Sequence, residues 1–194
     1  MKHKRIILTG AHGTGKTTVL EYFDNLEYPV ITEVVRKLNK EGGIKINEQG
    51  DQSGQQAIFN AYYELLKQPK YVSDRGLTDV VAYTKYLVDH GNIDAGVLES
   101  QLDQLKKFHE ENPDILYCFF PIEFDIEDDN VRSTDQDFQQ DISNNIRWVI
   151  SYLATETKSG IEWIAVHGTP EERFDQILQV ADPEYYLELR DEFL

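Results

Sequence analysis

The sequence is poor in what several protein classes require. One cysteine, Cys118, among 194 residues leaves no disulfide framework and no thiolate set for zinc. The longest apolar run, residues 115–122, is far shorter than the roughly 20 residues that span a bilayer. No basic-then-apolar leader precedes the first element, because Lys2, Lys4 and Arg5 run straight into strand-like residues. These absences predict a cytoplasmic protein with no membrane partner. Bases are also scarce: 19 lysines and arginines stand against 35 acids, for a formal charge of −16. A protein that grips duplex nucleic acid neutralises many phosphates with cations. The balance therefore weighs against a nucleic-acid partner, although a narrow basic groove remains compatible with it. It favours a small phosphorylated ligand held by a few placed cations.

What is present fits one globular unit over residues 1–194, with ordinary apolar content of 40%. Arg5-Ile6-Ile7-Leu8-Thr9 reads as a buried strand, and Val19, Leu20, Phe23 and Leu26 recur after it at helical spacing. Strand-like runs return at Val30-Ile31-Thr32, Tyr71-Val72-Ser73, Leu116-Tyr117-Cys118-Phe119-Phe120 and residues 161–166. Helical stripes separate them, including Ala57, Ile58, Ala61, Tyr62, Leu65 and Leu66, and later Phe138, Ile142, Ile146, Val149 and Leu153. Residues 34–54, with Gly42-Gly43, Gly50 and Gly54, predict a short helix near 34–38 and then a mobile loop. Strands alternating with helices predict a three-layer α/β domain around a central, mostly parallel five-stranded sheet.

Between the first strand and the first helix stands Gly10-Ala11-His12-Gly13-Thr14-Gly15-Lys16-Thr17, the Gly-x4-Gly-Lys-Thr pattern of a phosphate-binding (P-loop) NTPase domain. Each fixed place has a reason. Glycines let the backbone curl so that successive N–H groups converge on phosphate oxygens, and the following helix aims its positive end at the same anion. Lys16 reaches the outer phosphates, and the Thr17 hydroxyl is placed to ligate Mg²⁺. The expected nucleotide contacts are Gly10, His12, Gly13, Thr14, Gly15, Lys16, Thr17 and Thr18, with ATP and Mg²⁺ as cofactors. Magnesium needs a second ligand at the end of a neighbouring strand, and Asp74 is the candidate. Arg75 follows it, where a cation can balance phosphoryl charge; an exposed Asp-Arg turn is the ordinary alternative.

Two further segments support a resemblance. Ser73-Asp74-Arg75-Gly76 resembles the Asp/Glu-Arg-Ser motif of deoxynucleoside and thymidylate kinases, with Gly76 where deoxynucleoside kinases carry serine. Thr32-Glu33-Val34-Val35-Arg36 is similar to the Glu-x-x-Arg segment of small phosphate-loop kinases, among them ribosylnicotinamide kinase-like and phage-type ATPase/kinase proteins. His167-Gly168-Thr169-Pro170-Glu171-Glu172-Arg173 resembles the loop that borders adenine in the same group.

The resemblance implies transfer of the γ-phosphoryl group of ATP to a small acceptor, a nucleoside or nucleotide. It implies that Glu33 faces the acceptor hydroxyl as base or orienting group, with a solvated strand-end glutamate as the alternative. Arg36 reaches an acceptor phosphate or pairs with Glu33. Segment 123–137, seven acids and the single base Arg132, stands where nucleotide kinases carry a lid. Closure of a lid would bring Arg132 to the transferring phosphoryl group; a solvated acidic loop with one salt-bridged arginine is the ordinary alternative. Arg147 is a weaker second choice. Gln55 and Gln56 can read a base edge, and Tyr62 and Tyr63 can stack on one, but surface and packing roles respectively are the expectation. The acidic stretch from Glu171 reads as a solvated helix surface, with Tyr185, Tyr186, Leu189 and Phe193 packed on the domain or on a second copy in a homodimer. Two other activities fit a phosphate loop: nucleotide hydrolysis coupled to partner binding, and phosphorylation of polynucleotides.

Overall fold

The central strand of the protein is its first, β1 (Arg5–Thr9), and everything that matters for the site is arranged by its neighbours. The computed structural model describes residues 4–123 and 136–192. In chain order the elements are β1, α1 (Lys16–Asn25), β2 (Val30–Ile31), α2 (Val34–Gly42), a 3-10 turn (Asn47–Gln49), α3 (Gln52–Leu65) and β3 (Tyr71–Asp74). They continue with α4 (Leu77–Asp89), α5 (Ala95–Glu111), β4 (Ile115–Phe119), α6 (Gln136–Glu156), β5 (Glu162–Ala165), α7 (Pro170–Ala181) and α8 (Pro183–Glu192). The five strands pair in the order β2-β3-β1-β4-β5, and every pairing is parallel. The sheet is thus wholly parallel where the sequence predicts a mostly parallel one.

A parallel sheet needs cover on both faces, so its inner strands β1 and β4 are largely apolar and almost wholly buried. On β4, Ile115, Tyr117 and Phe119 join one core, and Leu116 and Cys118 join the other. The first core adds Ile58, Phe59 and Tyr62 of α3, Val80 and Val81 of α4, and the α6 stripe Phe138-Ile142-Ile146-Val149-Leu153. The second adds Val19, Leu20 and Phe23 of α1 with Ile177 and Ala181 of α7. Helices on both faces give the three layers expected.

Register places the site. Leu8 lies beside Asp74 and Ile31 beside Ser73. The segments that leave β1, β2 and β3 therefore emerge together at the carboxyl edge of the sheet, where open α/β sheets bind ligands. The helix expected near residues 34–38 runs on to Gly42, and the stretch expected as an open loop contains the 3-10 turn. It ends in an N-cap, Asp51, whose side chain accepts from Gly54 N–H at 2.9 Å. No helix among the described residues is long and apolar enough to cross a membrane. Phe193 and residues 124–135 of the expected lid, Arg132 among them, lie outside the described residues.

Candidate active site

The loop leaves β1 through Gly10, where φ is 155° and an added Cβ would sit 2.6 Å from the Phe120 carbonyl oxygen. Only glycine fits there. At the far end Gly15, with φ 85°, turns the chain into α1 with no side-chain cap and no acid in the first turn. The first N–H groups of α1 are thus left to an anion. Lys16 Nζ folds back into the loop, donating to the carbonyls of Gly10 (2.9 Å) and Ala11 (2.6 Å) and to Thr14 Oγ1 (3.3 Å). Thr14 Oγ1 itself donates to the Ala11 carbonyl at 3.0 Å.

Three buried side chains from elsewhere brace the loop; Asp79 and Gln139 carry no motif in the sequence, and Arg173 closes the segment likened to an adenine-bordering loop. Asp79 on α4 accepts from Gly10 N–H through Oδ1 at 3.2 Å, and from Gly76 N–H through Oδ2 at 3.1 Å. Gln139 on α6 donates to the His12 carbonyl at 2.7 Å. Arg173 on α7 donates to the Thr14 carbonyl at 2.6 Å and to Glu123 Oε2 at 2.6 Å. The expectation of a solvated surface from Glu171 onward fails at Arg173, which is 1% exposed. Its signal was helical phase: Arg173 stands four residues before the core residue Ile177. Burial pushes the Asp79 carboxyl above its ordinary pKa, against the pull of Arg75 and Lys16. Burial would also raise Glu123, but hydrogen bonds from His167, Gly168 N–H and Arg173 hold it lower than usual.

Beside the loop, Thr17 Oγ1 donates to Asp74 Oδ2 at 3.0 Å. The other oxygen, Asp74 Oδ1, is buried with no hydrogen-bond partner. A buried, unpartnered carboxylate oxygen is costly, and a hard cation would relieve that cost. The Thr17–Asp74 pair therefore fits a Mg²⁺ ligand set by the chemistry of its donors. Tyr62 fixes the turn from below, its hydroxyl donating to the Asp74 carbonyl at 3.1 Å.

Arg75 has a left-handed backbone (φ 78°) and a guanidinium 3.7 Å from Asp79 and over the Tyr83 ring at 5.5 Å. Burial works against its charge, but Tyr83, Asp79 and Asp74 outweigh that and hold its pKa above the ordinary arginine value. Gly76 is where the chain departs from the serine of deoxynucleoside kinases. Here an added Cβ would meet Ile7 at 2.9 Å, so the helix packs too close to β1 for a side chain.

Glu33 caps α2 with a left-handed backbone (φ 59°) and pairs with Arg36 at 3.0 Å. Of four non-glycine residues with positive φ among those described, Glu33, Asn47 and Arg75 line one cleft. Strained backbone concentrates at functional sites. That cleft, partly open to solvent, is lined by residues 12–18, Glu33, Arg36, Asp74 and Arg75. Gln55, expected at the surface, is buried in its wall, whereas Tyr62 is a core residue as expected. Arg147 instead lies over the Phe119 ring at 5.8 Å and does not line the cleft. Among the described residues no cluster of His, Cys, Asp and Glu forms a metal site by itself.

A glycine loop running from the central strand of this all-parallel sheet into a helix places the chain among the phosphate-loop α/β proteins. More particularly, it belongs to the AAA domain family, whose model matches residues 5–173. No curated protein sequence matches it. Its fold is that of several solved kinases. Deoxyadenosine kinase from M. mycoides with bound dATP superposes with a TM-score of 0.65 at 17% identity, covering 92% of this chain and 98% of that one. NadR protein in complex with NR superposes at 0.67 and 14% identity, over 91% of this chain and 51% of that one. Shikimate kinase from Aquifex aeolicus superposes at 0.51 and 18% identity, over 93% and 98%.

Proposed function

We propose that the protein is a phosphotransferase moving the γ-phosphoryl group of ATP to a hydroxyl of a nucleoside or nucleotide. The observation that carries this is the shared cleft, lined by the phosphate loop and the Thr17–Asp74 pair and also by Glu33 and Arg36. A hydrolase needs only the first set. Kinases of nucleosides and other small molecules share the fold, which supports the reading.

In this reading the loop amides and Lys16 hold the donor phosphates, Lys16 exchanging the Gly10 and Ala11 carbonyls for phosphate oxygens. Thr17 and Asp74 would hold Mg²⁺, which would supply positive charge to the phosphates of the donor. The acceptor oxygen attacks the γ-phosphorus in line, the bond to the bridging β–γ oxygen breaks, and ADP leaves. Glu33 orients the attacking hydroxyl and takes its proton. Arg75 meets the charge on the equatorial oxygens, and Arg132 is its proposed companion from the lid. Val34, Val35, Ile46, Ile58 and Val80 provide apolar walls on the acceptor side, and the Gln55 amide provides one polar group there. Such a lining suits a base. The setting is the cytoplasm.

The test is turnover against a panel of nucleosides, nucleotides and oligonucleotides, with ATP hydrolysis measured alongside. In Glu33→Gln, transfer to the best acceptor is expected to fall by about 10² to 10⁴, with ATP affinity by calorimetry unchanged. A panel with no acceptor and steady hydrolysis would instead identify a hydrolase. Acceptance only of oligonucleotide ends would identify a polynucleotide kinase.

A further inference from the structure

We infer that Gln139 and Arg173 are positioning residues that aim the N–H groups of Gly13 and Gly15 at the bound triphosphate. The inference rests on the loop being the donor site, and it concerns how the loop becomes rigid enough to be one.

A trans peptide is planar, with its C=O and N–H pointing in opposite directions, and no cis peptide occurs among the described residues. Fixing a carbonyl therefore fixes the next residue's N–H. The His12 carbonyl is drawn outward by Gln139 Nε2 at 2.7 Å, which turns Gly13 N–H the other way. The Thr14 carbonyl is drawn outward by Arg173 Nη1 at 2.6 Å, which turns Gly15 N–H the other way. Gly13 and Gly15 both line the cleft. The two braced peptides alternate along the loop, which is the arrangement that lets successive N–H groups share one anion.

Glycines alone do not supply this order, because a glycine peptide flips readily when nothing holds it. Both braces are themselves held. Gln139 is 3% exposed, and its neighbour Phe138 stacks on the His12 ring at 5.6 Å. The guanidinium of Arg173 lies over the Phe120 ring at 5.5 Å, and its second nitrogen is anchored by Glu123. Glu123 is in turn fixed by Gly168 N–H at 3.2 Å and by His167 Nδ1 at 2.5 Å. Neither peptide can rotate without breaking a buried hydrogen bond, so the cradle is set before the ligand arrives, and little ordering remains to be done on binding.

The test is direct binding, which needs no acceptor and no turnover. Mg·ATP and Mg·tripolyphosphate are titrated by calorimetry into the wild-type protein and into Gln139→Leu, Arg173→Met and Arg173→Lys. Each variant is checked by circular dichroism and by its melt without ligand. Loss of one neutral hydrogen bond corresponds to about fivefold, and of one charged hydrogen bond to roughly tenfold or more. Gln139→Leu is expected to weaken both ligands by about the same fivefold factor. Arg173→Met is expected to weaken both roughly tenfold or more. Arg173→Lys, with one ammonium unable to reach Thr14 and Glu123 together, should fall between wild type and Met. If Arg173→Met does not fold, the Lys and Leu variants carry the comparison. Folded variants that bind both ligands within about twofold of wild type would overturn the inference. So would a loss for ATP that spares tripolyphosphate, since it would tie these residues to the base and not to the phosphates. If wild type binds neither ligand, the donor-site reading itself falls, and this inference falls with it.

Discussion

Lys16 gives the sharpest perturbation, because the structure assigns it two different jobs in two states. Without nucleotide the residue is 5% exposed and its ammonium stitches the loop shut through Gly10, Ala11 and Thr14. In Lys16→Ala the Ala11 carbonyl keeps the Thr14 hydroxyl at 3.0 Å, but the Gly10 carbonyl loses the donor it has. An orphaned buried acceptor costs about 1–3 kcal/mol. At roughly 2–4 °C per kcal/mol for a chain of this size, the unliganded melt should fall by about 2–12 °C. The second job concerns the ligand. At 100 times its dissociation constant Mg·ATP stabilises the wild type by about 2.7 kcal/mol, a rise of roughly 5–11 °C. If the substitution weakens binding a hundredfold, the same concentration adds only about 0.4 kcal/mol, roughly 1 °C. Four thermal melts measure both effects. A full nucleotide shift in the variant would refute the site assignment, and an unchanged unliganded melt would refute the stitching role.

Other perturbations separate the remaining parts. Asp74→Asn should cut Mg²⁺-dependent turnover by roughly two orders of magnitude or more while the circular-dichroism spectrum holds, since one oxyanion-type charge contact alone is worth about 10²–10³; near-normal kinetics across a magnesium titration would return Asp74 to a plain turn. Asp79→Asn leaves one carboxamide oxygen for the two N–H groups of Gly10 and Gly76 and removes the charge beside Arg75, and should lower stability by about 1–3 kcal/mol in urea denaturation; no change would mean the loops hold themselves. His109 is buried, its Nε2 at 3.0 Å from the Gly160 carbonyl. Burial holds its pKa below the ordinary histidine value, against the opposing pull of that carbonyl. The unfolded chain therefore takes up the proton first, so this contribution is present above about pH 6.5 and is lost as pH falls toward the folded value. Denaturant midpoints at pH 7.5 and 5.5 should differ less in His109→Gln than in wild type, and equal differences would exclude His109 as the source.

By itself the sequence determined the local parts. The phosphate loop was legible because its chemistry is contiguous: strand, curled glycines, lysine, hydroxyl and helix start all fall within residues 5–17. Asp74 and Glu33 stood out as candidates because strand ends are marked by a change from apolar to charged residues, and both line the cleft. The stripe Phe138-Ile142-Ile146 named α6 because a buried helix face repeats every three to four residues. What only the tertiary structure decided is which distant polar groups meet that loop. Gln139 lies 127 residues from His12, and Arg173 lies 159 from Thr14. An arginine among acids reads as surface in one dimension, and a lone glutamine on a helix carries no signal, because polarity alone does not say which way a side chain faces. Strand order reversed that reading. With β1 in the middle of β2-β3-β1-β4-β5, the helices after β4 and β5 bring their first turns against the loop, where burial makes hydrogen bonding obligatory.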